Sequence, residues 1–321
     1  MNRPATIPLD GRVTAENFDE QAYLQANPDV ARAVAQGILL SGRQHFDHFG
    51  HKENRRMAVG ASPALIALRR RKLARLAPHL NRAMPHVMRG DKYDFLSDAL
   101  RAETSVIDTV NVSSNPYAQA VQDLIARHAD GLVLDCGAGS RPIYYGNVVN
   151  YEIADYASTD VIGVGEKLPF QDNSFDAVIS MAVLEHVRDP FACAAEIVRV
   201  LKPGGQLACG VPFLQPVHGY PHHYYNMTGQ GLRALFERSL VIDYHAVEDV
   251  AHPVWSLAWI VNSWANGLDA AARERFLALR MADLLQPAHT LLQQDWVKNL
   301  SEEKQWELAS GTFLLAHKPE A

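Results

Sequence analysis

Residues 132–139, Leu-Val-Leu-Asp-Cys-Gly-Ala-Gly, constrain the fold of this 321-residue chain more than any other stretch. Three apolar residues in succession suit a strand buried on both faces of a parallel sheet. Gly137 and Gly139 then let the backbone turn sharply and let a ligand approach where a Cβ would otherwise stand. Asp135, just before the turn, selects among ligands. A pyrophosphate cradle has little use for a carboxylate there, whereas an ammonium or a hydroxyl finds a partner in one. The segment points to a nucleoside ligand without phosphates.

The pattern downstream of Gly131 alternates apolar runs with helical stretches. Strands are expected near 131–136, 147–152, 160–164, 174–181, 205–211, 240–247 and 312–317, with helices near 189–201 and 228–238. Leu201-Lys202-Pro203-Gly204-Gly205 reads as a helix stop and a turn back into a strand. Such alternation predicts an α/β fold with a doubly wound, mostly parallel seven-stranded sheet. Residues 137–146 are too few for a full crossover helix, so the early crossovers are shortened to turns or loop. A helix-like insertion over about 250–308 precedes the last strand and carries Trp255, Trp259 and Trp264.

Ahead of this domain, taken as 131–321, three zones are expected: a flexible tail over 1–17, a small helical module over 18–56, and a helical N-terminal extension over 57–130. In the module, Pro28 opens a helix after Asn27, and Gly37 and Gly50 read as stops. In the extension, Arg69-Arg70-Arg71-Lys72 with Arg75 reads as a solvated helix face in preference to a membrane or RNA patch, because few aromatics interleave it.

A net charge of −6 argues against general nucleic-acid affinity. No 18-residue apolar run is present, so no membrane span is expected. Cys136, Cys193 and Cys209 lie in apolar surroundings with no ligand-like spacing, which reads as buried free thiols in a reducing cytoplasm. The N-terminus lacks the apolar stretch of a signal peptide, so the sequons at Asn111 and Asn226 read as accidental.

Four motifs in order carry a family resemblance. They are Val133–Gly139, Leu168-Pro169-Phe170-Gln171-Asp172-Asn173-Ser174-Phe175-Asp176-Ala177-Val178, Leu184-Glu185-His186-Val187, and Arg199–Gly205. With these, residues 131–238 resemble a class I S-adenosylmethionine-dependent methyltransferase, whose sheet is Rossmann-like. The resemblance implies that Asp135 and the backbone at Gly137 and Gly139 hold the methionine end of the cofactor. Loop backbone around Ser140 and Arg141 would assist, since the helix behind the turn is cut short. It also implies that Glu152 accepts the ribose hydroxyls, against the plainer reading of a solvated strand-end charge. Where the family often carries an aspartate for adenine, this chain has Val164. Glu166 or a backbone carbonyl would substitute, with the Gly165 amide facing the ring. Met181 lines the methyl-transfer site or is a core methionine, and His186 borders the cofactor or is structural. Pro142 stands where a nicotinamide-binding G-x-G-x-x-G would have its third glycine, which disfavours a dehydrogenase.

After the fifth expected strand comes Pro212–Thr228, rich in histidine and tyrosine, at the sheet edge where open α/β folds bind ligands. His218, His222 and His223 are the candidates for a general base, with pure packing as the alternative. No metal is expected, because no nearby acid completes a familiar ligand set. Residues 18–56 resemble a helical module that accompanies some bacterial surface-polysaccharide enzymes. The expected acceptor is therefore a hydroxyl of a surface glycan or its precursor. A small metabolite or natural product is the alternative, and a non-catalytic cofactor-binding module a further one. The Trp-bearing insertion reads equally as a lid over the acceptor, a homo-oligomer interface or core packing.

Overall fold

The computed structural model describes residues 3–60, 62–107, 116–219 and 222–311. The expected strand over 312–317, the sequon at Asn111, and Tyr220-Pro221 of the aromatic loop lie outside the described residues.

The chain opens with strands β1 (Thr6–Pro8) and β2 (Asp10–Arg12) and helices α1 (Glu20–Ala26), α2 (Pro28–Ala35) and α3 (Gly42–His45). Next come β3 (Arg56–Ala58), α4 (Pro63–Leu76), β4 (Val87–Arg89), β5 (Lys92–Asp94), α5 (Asp98–Thr104) and α6 (Gln119–Arg127). The central run is β6 (Val133–Cys136), β7 (Ile143–Tyr145), β8 (Val148–Glu152), β9 (Val161–Ile162), β10 (Phe175–Met181), α7 (Pro190–Val200), β11 (Leu201–Gly210) and α8 (Gly229–Phe236). Helices α9 (Pro253–Asn266) and α10 (Ala270–Leu277) follow, with shorter turns behind them. These elements form two compact units, residues 1–211 with 219–241, and residues 212–218 with 242–321.

In the first unit a seven-stranded sheet runs in the order β11-β10-β6-β8-β9-β5-β4. Every pairing from β11 to β5 is parallel, and only the edge strand β4 is antiparallel. All four residues of β6 are buried, as an apolar run in a doubly covered strand requires. The sheet is thus mostly parallel and seven-stranded, but not with the expected seven strands. Residues 240–247 form no strand: Val241 and Tyr244 are exposed, and no ladder reaches them among the described residues. The sheet is extended instead by the hairpin β4–β5, which docks on β9 through Tyr93 and Asp94. The stretch 57–130, expected to be helical, therefore carries two strands of the main sheet. Strand β11 starts earlier than expected, and the Pro203-Gly204 turn survives inside it as a bulge, with Gly204 at φ +75°.

The N-terminal helices explain how the short crossovers are tolerated. Between β6 and β8 the chain makes no helix; it forms β7, which pairs antiparallel with β1. The residues expected to be a loose tail are thus strands, β1 against β7 and β2 against β3. Helix layers come from elsewhere in the sequence. Val121, Leu124 and Ile125 of α6 pack on Val133, Val148, Ala177 and Ile179. Leu65 and Leu68 of α4 pack on Leu9 and Tyr144, and Leu96 and Leu100 cover Ile162 and Val164. Each contact restores the apolar cover that a parallel sheet needs on both faces.

The basic stretch of α4 is a solvated face only in part. Lys72 is fully buried, with Nζ 2.6 Å from Asp160, and donates to the carbonyls of Tyr145 and Val148. Arg69 is buried beside the same carboxylate. Arg75 donates to the carbonyls of Asp130 and Gly131 and stays exposed, as do Arg70 and Arg71.

Residues 13–55 are closed off by the β2–β3 pair and keep a core of their own in Val13, Tyr23, Val30 and Phe46. Pro28 does open α2, and Gly37 follows its end at φ +72°. The Tyr23 hydroxyl lies 3.0 Å from His45 Nδ1 inside that core. In the second unit the Trp-bearing insertion is helical, as expected. Trp264 stacks on Phe276 with centroids 6.0 Å apart, and Trp296 completes the cluster.

Candidate functional site

The parallel strands β6, β8 and β10 end at one edge of the sheet, and Asp135, Glu152 and Met181 stand at or beside those ends. The edge is where ligands bind in open α/β folds, because loops there leave the ladder and expose backbone amides. Gly137 turns the chain at φ +81° and donates to the Tyr151 carbonyl at 2.9 Å. A Cβ on it would stand 2.5 Å from Val183 Cγ2, so only glycine fits. Gly139, at φ +63°, aims its amide at Glu152, whose Oε2 accepts at 2.7 Å.

Asp135 is fully buried, and its two oxygens differ. Oδ2 takes the Nε and Nη2 of Arg141, each at 2.9 Å, together with the Tyr117 hydroxyl. The guanidinium lies 4.1 Å from the centre of the Tyr117 ring. Oδ1 has no partner among the described residues. Burial and the neighbouring carboxylate push the Tyr117 phenol well above its ordinary pKa. For Arg141, burial opposes the charge, but the Asp135 carboxylate outweighs it and the pKa is raised. Neither side chain was among the sequence candidates. Arg141 entered only through its backbone, and nothing in the spacing ties Tyr117, 18 residues upstream, to Asp135.

Glu152 closes on the glycine loop, accepting from the amides of Gly139 and Ile153. Burial raises its pKa against those amides. The plainer reading of a solvated strand-end charge does not describe it. Gly165 is buried, and a Cβ there would meet Cys193 Sγ at 2.7 Å, so the glycine lets α7 pack close. Glu166 is committed to the entrance of α7, where it accepts from the Arg188 amide at 2.9 Å. The Val164 side chain is buried in the α5 cluster, and its carbonyl accepts from the Tyr151 hydroxyl. Met181 packs on the α6 cluster with its methyl over Gly210, and Ala182 turns the chain at φ +56° directly after it.

His222 and His223 belong to the first unit, His218 to the second. His222 donates through Nε2 to the Ser105 carbonyl, and His223 Nε2 lies 2.9 Å from Asn226 Oδ1. His218 Nδ1 lies 2.8 Å from the Pro216 carbonyl, and its ring packs on Trp259.

Sequence reasoning also set His186 aside and passed over Glu185. His186 Nδ1 donates to the His222 carbonyl at 2.7 Å, and its ring contacts that of His223. Glu185 is fully buried, and neither carboxylate oxygen has a hydrogen-bond partner among the described residues. Burial pushes its pKa up to about 7.

Comparison with known proteins bears on the same stretch. The chain is 36% identical over 107 residues to a demethylmenaquinone methyltransferase of Renibacterium salmoninarum, covering 33% of this chain and 39% of that protein. It is 47% identical over 58 residues to an uncharacterized methyltransferase of Schizosaccharomyces pombe, covering 18% and 21%. The chain spans only a minor part of these relatives. Among solved structures it is similar to the YcgJ protein of Bacillus subtilis, at 20% identity and TM-score 0.31 over 47% of this chain and 84% of that one. A second is the 1,6-didemethyltoxoflavin-N1-methyltransferase of Burkholderia thailandensis with S-adenosylhomocysteine, at 17% identity and TM-score 0.30 over 41% and 73%. Residues 136–209, from the end of β6 nearly to the end of β11, match the family model described as a methyltransferase domain.

Proposed function

We propose that this chain is an S-adenosylmethionine-dependent methyltransferase whose acceptor is a hydroxyl of a bacterial surface glycan or its precursor. The observation that carries the first half is the methyltransferase-domain match laid over the glycine turn at the carboxyl edge of the parallel sheet. The residues there suit the donor. Asp135 keeps one buried oxygen without a partner among the described residues, fit to receive an ammonium, and Gly137 and Gly139 leave the loop backbone approachable. Glu152, already on the Gly139 amide, would take ribose hydroxyls.

When bound, the donor supplies an electrophilic methyl on a sulfonium. The protein's work is then to align acceptor and methyl and to exclude water. Gly165, Glu166 and Met181 are proposed to border the cofactor, and His218, His222 and His223 the acceptor. Glu166 and Gly165 would act through backbone and shape, since the Glu166 carboxylate serves α7. The glycan half rests on the resemblance of residues 18–56 to a module of polysaccharide enzymes. A small-molecule acceptor is favoured instead by relatives named for demethylmenaquinone.

Calorimetry with S-adenosylhomocysteine tests the donor: wild type binds, Asp135→Ala does not, and a wild type that fails to bind refutes the reading. Labelled donor incubated with bacterial extract then separates the acceptors, by whether label enters polysaccharide or the small-molecule fraction.

A further inference from the structure

We propose that Glu185 takes the acceptor's proton during methyl transfer, with His186 and Ser180 forming the rest of the acceptor's polar cradle. This rests on the methyltransferase reading above. Three buried side-chain oxygens near the ends of β10 and β11 have no partner among the described residues: Glu185 Oε1 and Oε2, and Ser180 Oγ. Leaving a buried carboxylate without any donor is costly, and a fold retains such a group where a ligand completes it. Ser180 sits in register with Cys209 on the neighbouring strand, and Cys209 in turn feels the Glu185 charge.

The surroundings make the carboxylate basic. Within this unit its titratable neighbours are His186 on its own loop, Cys209 on β11 and, beyond the imidazole, His223. No lysine or arginine forms an ion pair with it among the described residues. The Cys209 thiol is pushed up to about 12 by burial and by Glu185, so it brings no positive charge and no ready proton. His186 Nδ1 faces a carbonyl, which can only accept, so that nitrogen carries the hydrogen. Its Nε2 lies 3.8 Å from Glu185 Oε1. The Glu185 carbonyl is fixed by the amide of Tyr224 at 2.7 Å, which ties the carboxylate to the loop proposed to shape the acceptor pocket.

The chemistry balances. The acceptor oxygen forms a bond to the methyl carbon as the carbon–sulfur bond breaks and its electron pair returns to sulfur. The hydroxyl proton passes to the Glu185 carboxylate, which becomes the neutral acid. Ser180 Oγ–H would orient the acceptor oxygen. His186, with Nε2 3.8 Å from Glu185 Oε1, is a positioning residue.

The test uses full-length wild type, Glu185→Gln and Glu185→Asp, labelled S-adenosylmethionine and a surface-polysaccharide extract as the acceptor probe. Glu185→Gln is expected to lower transfer about 10²-fold or more, with partial rescue by Glu185→Asp and with affinity for S-adenosylhomocysteine held within about twofold. Wild-type transfer should rise with pH through a midpoint near 7, and infrared spectra of the S-adenosylhomocysteine complex should show an acid C=O band that titrates there and is missing in Glu185→Gln. Transfer unchanged in Glu185→Gln overturns the inference while leaving the methyltransferase reading intact. A wild type that binds S-adenosylhomocysteine but labels only amines, or nothing in a hydroxyl-rich extract, overturns it as well. No binding of S-adenosylhomocysteine at all would instead refute the parent reading.

Discussion

Substituting Asp160 by asparagine should cost the first unit about 3–5 kcal/mol, because it strands a buried lysine. Asp160 is fully buried and collects Lys72 Nζ at 2.6 Å, the Asn150 amide at 2.9 Å, the Tyr144 hydroxyl, and Arg69 Nε at 3.5 Å. Asparagine keeps the volume and one acceptor but removes the charge that Lys72 and Arg69 face. Lys72 already has its pKa lowered to about 8, by burial, with Asp160 pulling the other way. Without Asp160 it would shed its proton near neutrality, and doing so costs about 5 kcal/mol relative to a free lysine. About 3 kcal/mol of that is already present in the wild type, so the lysine itself adds about 1–2 kcal/mol, and the lost charge facing Arg69 and Tyr144 supplies the rest. Lys72→Met should cost less, since Asp160 retains the Asn150 amide, Tyr144 and Arg69. The chain offers a clean assay. All five tryptophans, Trp255, Trp259, Trp264, Trp296 and Trp306, belong to the second unit. Indole fluorescence therefore follows that unit, while hydrogen exchange over β6 and β8 follows the first. In urea the first unit's midpoint should fall by roughly 1–2 M, with the indole transition unmoved. A loss under about 1 kcal/mol, or Lys72→Met costing as much as Asp160→Asn, would refute the argument.

Gly137→Ala should abolish S-adenosylhomocysteine binding in calorimetry, since φ +81° and a contact of 2.5 Å with Val183 both forbid a side chain; binding within threefold of wild type would count against the turn's role. Glu185 has its folded pKa raised to about 7 by burial, so the folded protein binds more protons than the unfolded chain between about 4.5 and 7. Stability should accordingly fall as pH rises through that window, and Glu185→Gln should flatten the slope in urea titrations at stepped pH. Gly50→Ala would place a Cβ 2.1 Å from the Tyr23 hydroxyl. Overpacking of this kind should cost residues 13–55 about 1–3 kcal/mol, read as faster proteolysis within them, with S-adenosylhomocysteine binding unchanged.

The glycine turn shows what a sequence exposes. Its backbone demands are local, so Leu132–Gly139 specified a buried strand, a sharp turn and an acid beside it, and the structure has all three. Pro28 and Gly37 were legible for the same reason. Glu185 was present in a recognised motif and still passed over, because the absence of a partner is a property of three-dimensional surroundings. The strand over 240–247 was read from apolar alternation alone; alternation permits a strand, but a ladder needs a neighbour, and Val241 is left exposed.

By itself, then, the sequence determined the parallel strand–turn core, its shortened crossovers and the residues at its carboxyl edge, all of which depend on neighbours in the chain. Tertiary structure alone decided what covers and completes that core. Helix α4, expected to turn Arg69 and Lys72 to water, buries them against Asp160, 88 residues on from Lys72, and the β4–β5 hairpin fills the sheet from 67 residues before β9. Arg141 and Tyr117 meet on one oxygen of Asp135 and leave the other for a ligand. Burial and pairing between distant residues fix these features, and no periodicity or spacing in the chain encodes them.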